Sequence, residues 1–424
     1  MYKYLIAVIL VTPLIGIWMV EGGEYAGSIG VIGYPNGATV AFSIYALSLS
    51  AIAYFFATGR RGPQVPAVPG REANALFRRF SSKLLLLQLA FLVVFLFGFG
   101  AINTWSGATG KGEFRVGLGD FGAFPNSMSK FILPSLVAYA ALLYRRTTRS
   151  FEMRVRLGLN LATVFLIGAS WGFKTTAISG VLPTIVVLYW TVRPTQLLLL
   201  AVGFVASLVG FFFLFDANLG ALGDVESLLM TRLTVLQGDV CWYVWDLHST
   251  GTAFPNYWPT LLAAIGDKLL GVFGVNHADA NEWMLFHYDW MVTFIAGAPL
   301  EQIEGGHSIV GAPFSEGLIA GGIPGLVVFT IIAGVLTGRM YLFIERALRQ
   351  NRDVAAALGT TYFCYFLIPW LNAGAIVQLF HISLLINFGT ALLALNFMRR
   401  RWVFEAPRPP PASDALPAAL SGGC

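Results

Sequence analysis

Apolar residues in this chain gather into blocks long enough to cross a bilayer, and short polar connections separate them. Spanning the roughly 30 Å hydrocarbon core as a helix takes about 20 predominantly apolar residues. Ten blocks qualify, at about 4–20, 38–57, 84–102, 129–144, 157–173, 175–191, 195–215, 317–338, 354–371 and 379–397. In lipid the backbone can satisfy its polar groups only as helix or closed barrel, and blocks of this length specify helix. The pattern therefore predicts an all-α polytopic membrane protein with about ten transmembrane helices. It breaks once, between Asp216 and Glu316, where a large polar loop carrying short helices is expected. Within it the run 261–275 is apolar, but Asp267 and Lys268 sit at its centre and it is too short to span, so it reads as an interfacial amphipathic helix. The predicted organisation is helices one to seven over 1–215, the loop over 216–316, helices eight to ten over 317–398, and a Pro/Ala/Ser/Gly-rich disordered tail over 399–424.

Composition and charge add class and orientation. With 56% hydrophobic and 12% charged residues, and a mean hydropathy of +0.70, the chain lies far outside the range of soluble domains. Under a ten-helix count, one side of the membrane holds 21 of the 27 basic residues, in the connections 58–83, 145–156, 339–352 and 399–408 with Lys3 and Arg193. The positive-inside rule makes that side cytoplasmic. Both termini are then inside, and the loops 21–37, 103–128 and 216–316 face the periplasm of a bacterial inner membrane. No small-x-small cleavage site follows the first apolar block within Glu21–Tyr25, so it is expected to remain as a helix. Basic loops beside anionic lipid account for the net charge of +5, and no nucleic-acid partner is implied. Three scattered cysteines suggest neither a disulfide framework nor a thiol metal site.

The candidate chemistry lies in the large loop, which holds 12 of 22 acidic residues, four of five histidines and five of eleven tryptophans, but only two basic residues, Arg232 and Lys268. Residues 224–249 read as a helix bounded by Gly223 and Gly251. Heptad spacing puts Arg232, Asp239 and Asp246 nearly on one face with Trp242 beside them. That face is either solvated and held by a structural ion pair, or a polar groove in which Arg232 binds an anion and the carboxylates meet hydroxyl groups. Lys174, in Ser170-Trp171-Gly172-Phe173-Lys174-Thr175-Thr176, falls in a tight outer turn. There it either snorkels to the interface or approaches a lipid-linked phosphate. A third cluster runs from Glu304 through His307 to Glu316 and Gly317, with Glu316 expected at the outer mouth of the next span. His307 and Glu316 are candidate acid–base groups, and Glu316 equally suits a helix N-terminus. The histidine spacings match no metal motif, and neither metal nor cofactor is expected. Loop aromatics, Trp242 among them, suit either interfacial anchoring or sugar rings.

Many helices, one large late outer loop, and the segment Gly311-Ala-Pro-Phe-Ser-Glu316-Gly317-Leu-Ile-Ala-Gly321-Gly322-Ile-Pro-Gly325 opening the next span resemble Wzy-type polymerases. These are oligosaccharide repeat-unit polymerases related in architecture to O-antigen ligases. Glu316, Gly322 and Gly325 fit the family's pattern of Gly-Glu-aromatic, Phe-Gly and a further Gly, while the aromatic and Phe are replaced. Gly172-Phe173-Lys174-Thr175 is similar to the family's basic turn, with Lys where Arg is frequent. The resemblance implies a metal-independent, inverting glycosyltransferase that polymerises undecaprenyl-pyrophosphate-linked repeat units into surface or exopolysaccharide at the periplasmic face. Membrane lipid, a flippase and a chain-length regulator would be its partners. The reaction it implies needs cations at the leaving pyrophosphate, which Arg232 and Lys174 can supply, and a base at the acceptor hydroxyl, which Glu316, His307 or Asp239 can supply; Trp242 and Asp246 of the polar face are the further candidates to bind substrate. A ligase moving a finished glycan is the alternative within the enzymes. A transporter or flippase is the alternative outside them, and spans nearly free of charge argue against an ion-coupled carrier.

Overall fold

Helices occupy most of residues 2–59, 71–105, 108–110, 113–114, 117–172, 174–192, 195–196, 231–252, 258, 311–374, 376–379 and 382–403, which the computed structural model describes. α1 (Tyr2–Glu21) and α2 (Ala38–Ala57) are joined through a small ribbon in which β1 (Tyr25–Ala26) pairs antiparallel with β2 (Val31–Ile32). α3 (Arg71–Val93) continues through a π-helical turn, Val94–Gly98. α4 (Leu133–Tyr144) is entered through Ala123–Ser127 and a π turn, Met128–Ile132. α5 (Phe151–Ala169), α6 (Lys174–Leu188), α7 (Leu236–Ser249) and α8 (Ala312–Arg349) follow. α9 (Asp353–Tyr362) runs on through the π turn Phe363–Leu367 into Ile368–Ala373, and α10 (Ile382–Met398) comes last.

Among the described residues six helical rods are long and apolar enough to cross a membrane: Tyr2–Glu21, Ala38–Ala57, Glu72–Gly98, Ala123–Tyr144, Ala312–Arg349 and Asp353–Ala373. A shorter apolar stretch, Thr176–Leu188, lies in α6. The expected seventh span, 195–215, lies outside the described residues except for 195–196, as do the interfacial run 261–275 and the tail beyond 403. Two apolar cores form. One gathers α1, α2, α7, α8 and the α9 rod around Phe42, Trp242, Phe314 and Trp370; the other gathers α3 to α6 around Phe77, Phe80 and Phe95.

Two features fix the first core. α1 and α7 touch backbone to backbone: a Cβ on Gly238 would fall 2.4 Å from the Pro13 carbonyl oxygen, and one on Gly16 would fall 2.1 Å from that of Thr234. Small residues permit such close crossings, which is how helices gain van der Waals contact where lipid offers no hydrophobic contrast. The second feature is a break in α8. Gly321 is extended at φ −176° and Gly322 has φ 61°, a conformation that side chains disfavour, so the helix divides there into 312–320 and 323–349. Pro324 suits the first turn of the new piece, where its missing N–H has no partner to lose. A Cβ on Gly325 would fall 2.2 Å from the Gly317 carbonyl oxygen, so the short first piece folds back on the second. The single straight span expected over 317–338 is thus replaced. A buried nine-residue piece of about 13 Å precedes a helix of roughly 40 Å that suffices to cross the bilayer alone.

Basic residues collect at one end of the bundle. There Arg146 Nη2 lies 2.6 Å from Asp353 Oδ1, Arg349 Nε 2.6 Å from Glu345 Oε1, and Lys3 Nζ 5.7 Å from the Tyr341 ring centre. Trp190 donates its indole N–H to Glu345 at the same end.

Candidate functional site

At the opposite end, the last turn of α1, the first of α2, the start of α8 and the end of the α9 rod converge. Glu21 accepts the backbone N–H groups of Asn36 (3.2 Å) and Thr39 (3.3 Å), placing negative charge at the start of α2. The Gly311 N–H donates to the Ala373 carbonyl at 3.3 Å, tying the start of α8 to the end of the α9 rod.

α7 lies across this end, and its polar face is filled from within the chain. Asp239 is fully buried and accepts the Ser28 N–H at 2.9 Å. Burial pushes its carboxyl above the usual value, while the Ser28 hydrogen bonds pull the other way. Asp246, also buried, accepts the Tyr34 hydroxyl at 2.6 Å and the Asn36 amide at 3.2 Å. Trp242 donates its indole N–H to the Tyr34 carbonyl (3.1 Å) and packs edge-on against the Tyr34 ring. Heptad spacing thus brings Asp239, Trp242 and Asp246 together, but the segment 22–37 occupies that face. Among the described residues, Ser28, Tyr34 and Asn36 of that segment are hydrogen-bond partners of these two carboxylates. The phenol of Tyr34 is raised by its hydrogen bond to Asp246, which keeps it a donor.

Glu316 is fully buried within residues 312–320, instead of standing at an exposed membrane boundary. The folding back at Gly321–Gly322 causes this, because it tucks the first piece between α2, α7 and the α9 rod. Glu316 Oε2 accepts the Trp370 indole N–H at 3.1 Å, and Oε1 accepts the Ile376 backbone N–H at 2.8 Å. The short piece touches α7 directly: Cys241 donates its thiol to the Gly311 carbonyl (3.1 Å), and Ser315 donates its hydroxyl to Cys241 Sγ (3.3 Å). Burial pushes that thiol up to about 12, so it stays protonated and serves as a donor. Residues 248 and 258 lie against the break. Trp258 donates its indole N–H to the Ala320 carbonyl at 2.9 Å, and a Cβ on Gly322 would lie 3.1 Å from His248 Cε1.

The backbone alone places two further predicted residues: Arg232 in the π turn Thr231–Val235 before α7, and Lys174 as the first residue of α6. His307 lies outside the described residues. Beside the turn that precedes Lys174, Lys130 Nζ stands 5.7 Å from the centre of the Trp171 ring, whose N–H donates to Ser129 Oγ at 2.8 Å. Sequence reasoning passed over Lys130, Trp370 and Cys241 because each sits in a stretch that reads as span or as apolar helix face. The Trp370-Leu371-Asn372-Ala373-Gly374 sequence at the end of a predicted span was the available signal for Trp370. Among the described residues no group of three His, Cys, Asp or Glu side chains is arranged to hold a metal ion. No protein-family model, curated protein or solved structure matches the chain.

Proposed function

We propose that this chain polymerises undecaprenyl-pyrophosphate-linked oligosaccharide repeat units at the outer face of a bacterial inner membrane. The observation that carries the reading is Glu316: a buried carboxylate beside a helix break, in the glycine-containing segment whose residues resemble the Wzy-type pattern. A carboxylate is rarely kept away from water without purpose, since the desolvation cost is several kcal/mol. Trp370 and Ile376 offset that cost by donating one hydrogen bond to each oxygen. They also fix the carboxylate's orientation, which a general base requires.

In the proposed reaction the acceptor sugar hydroxyl of one lipid-linked unit attacks the anomeric carbon of the growing glycan. The new glycosidic C–O bond forms as the bond to pyrophosphate breaks, and undecaprenyl pyrophosphate leaves with the electron pair. The hydroxyl proton passes to Glu316, with Asp239 and His307 as the other candidate bases. Arg232 and Lys174 are assigned to the departing pyrophosphate, and Trp242 and Asp246 to the glycan side of the site. The reading includes about ten spans, a periplasmic loop over 216–316, cytoplasmic termini, and cooperation with a flippase and a chain-length regulator.

The test is glycan gel analysis of a strain lacking the gene. Single repeat units in place of a ladder are expected, and loss of all translocated units would instead favour a flippase. Glu316→Gln keeps size and removes charge, so at normal abundance it is expected to reproduce the single-unit pattern. A wild-type ladder from that variant would remove the carboxylate from the chemistry.

A further inference from the structure

The break in α8 is open on one side. Gly321 is exposed, and a Cβ built on it would meet nothing within 4 Å. At Gly322 the surroundings are different: a Cβ there would fall 3.1 Å from His248 Cε1 and 3.8 Å from Nδ1. The half-buried imidazole therefore lies where a side chain at 322 would have to go. Its ring centre stands 6.1 Å from the Trp245 ring, whose indole N–H is held by the Asn36 carbonyl at 3.1 Å. Trp258 is 55% exposed, yet its indole N–H is tied to the Ala320 carbonyl at 2.9 Å. A large aromatic ring is thus held by its polar tip while much of it stays uncovered. Ala320, Gly321 and Gly322 are consecutive, so the indole, the open glycine and the imidazole meet at one turn of chain. The short piece of α8 leads from that turn to the buried carboxylate. Glu316 precedes Ala320 by four residues, about 6 Å along the helix, and Phe314 beyond it packs on Phe42 of α2.

We propose that the α8 break is a sugar-binding subsite, where a pyranose ring of the glycan stacks on Trp258 and hydrogen-bonds His248. The assignment rests on the polymerase reading for the source of the sugar, and it adds a binding site to that reading. A sugar ring has an apolar C–H face and a rim of hydroxyls. Its recognition calls for a flat apolar surface beside a polar group. The indole supplies the first. The imidazole, with one donor and one acceptor nitrogen when neutral, supplies the second. Two successive glycines keep the chain bare beside them, and the exposed side of Gly321 provides the room. Interfacial anchoring accounts for an exposed tryptophan, but not for an imidazole and an open glycine at the same turn. The subsite contributes binding and leaves the chemical step to Glu316.

Trp258→Leu keeps apolar bulk and removes the flat face, and His248→Phe keeps a ring and removes both nitrogens. With purified protein and lipid-linked repeat unit, each is expected to raise KM about five- to tenfold, with turnover recovered at high substrate. Trp258→Tyr keeps an aromatic face and should stay within about twofold of the wild-type KM. Gly321→Leu puts a side chain into the open space, so it should raise KM with the melting temperature in detergent unchanged. Wild-type KM values for Trp258→Leu and His248→Phe, in a background where gene deletion leaves single units, overturn the subsite while the polymerase reading stands. If both variants instead melt several degrees lower, Gly321→Leu decides, and a wild-type KM there overturns the assignment as well. If gene deletion leaves the ladder unchanged, the polymerase reading itself falls, and the subsite falls with it.

Discussion

Asp239 shows how burial sets the behaviour of single residues at this end of the bundle. Its carboxyl is raised by desolvation, with the Ser28 hydrogen bonds opposing that shift. The folded chain therefore binds this proton more tightly than the unfolded chain does. The contribution to stability is complete below the unfolded value of about 4 and is lost as pH climbs through the raised folded value. The melting temperature of detergent-purified protein is thus expected to fall over that window. Asp239→Asn keeps a carbonyl oxygen for the Ser28 N–H and cannot ionise, so its curve should be flatter there. Identical slopes in the two proteins would show that Asp239 does not carry the effect. Asp246 accepts hydrogen bonds from a phenol and an amide, and Trp242 and Trp245 bind the same segment through the Tyr34 and Asn36 carbonyls. Those four side chains make 22–37 a strap over α7.

At the scale of elements, the α1–α7 crossing is a close backbone-to-backbone contact. Gly238→Ala gains about 1 kcal/mol of helix propensity. It also places a methyl group 2.4 Å from both the Pro13 carbonyl oxygen and the Ile17 nitrogen, main-chain atoms that cannot rotate away. Overpacking of this kind costs roughly 1–3 kcal/mol, and a backbone obstacle puts it at the upper end. The clash wins, for a net loss of about 1–2 kcal/mol. The expected readout is a lowered melting temperature in detergent, with the polar contacts of Asp246 to the strap weakened as α7 shifts. A variant as stable as the wild type would mean that α1 and α7 slide apart at no cost. The α8 break is the second decision made by an element. Because 312–320 folds back at Gly322, Glu316 enters the interior, and the Trp258 indole and His248 lie against the break.

For the whole molecule, the separation of charge is the feature that bears on orientation. Arg146, Arg349 and Lys3 share one end with their acidic or aromatic partners, and Glu316, Asp239 and Asp246 share the other. The proposed orientation puts the basic end in the cytoplasm. A fluorescent reporter that matures only in the cytoplasm, fused after Val403, is expected to glow. A phosphatase active only in the periplasm, fused after Thr252, is expected to be active. An active phosphatase at position 403 would invert the orientation and put Glu316 on the wrong side for a lipid-linked glycan delivered outside.

The apolar blocks determined by themselves that this is a helical membrane protein, and the boundaries of α2 coincide with the block at 38–57. Heptad spacing put Arg232, Asp239 and Asp246 nearly on one face with Trp242 beside them; Asp239, Trp242 and Asp246 lie together in α7, while Arg232 falls in the π turn before it. What covers that face was not legible. Ser28, Tyr34 and Asn36 lie more than two hundred residues away in sequence, and no local period encodes such a contact. Glu316 was found from its boundary position and its glycines, but its burial depends on a reversal that a hydropathy block averages away. Trp370 was hidden for a related reason. In a membrane helix, apolar positions that face lipid and those that face another helix have the same composition, so only tertiary packing shows which ones line an interior. Sequence fixes which segments are helical; the pairing of helices decides which of their polar atoms meet.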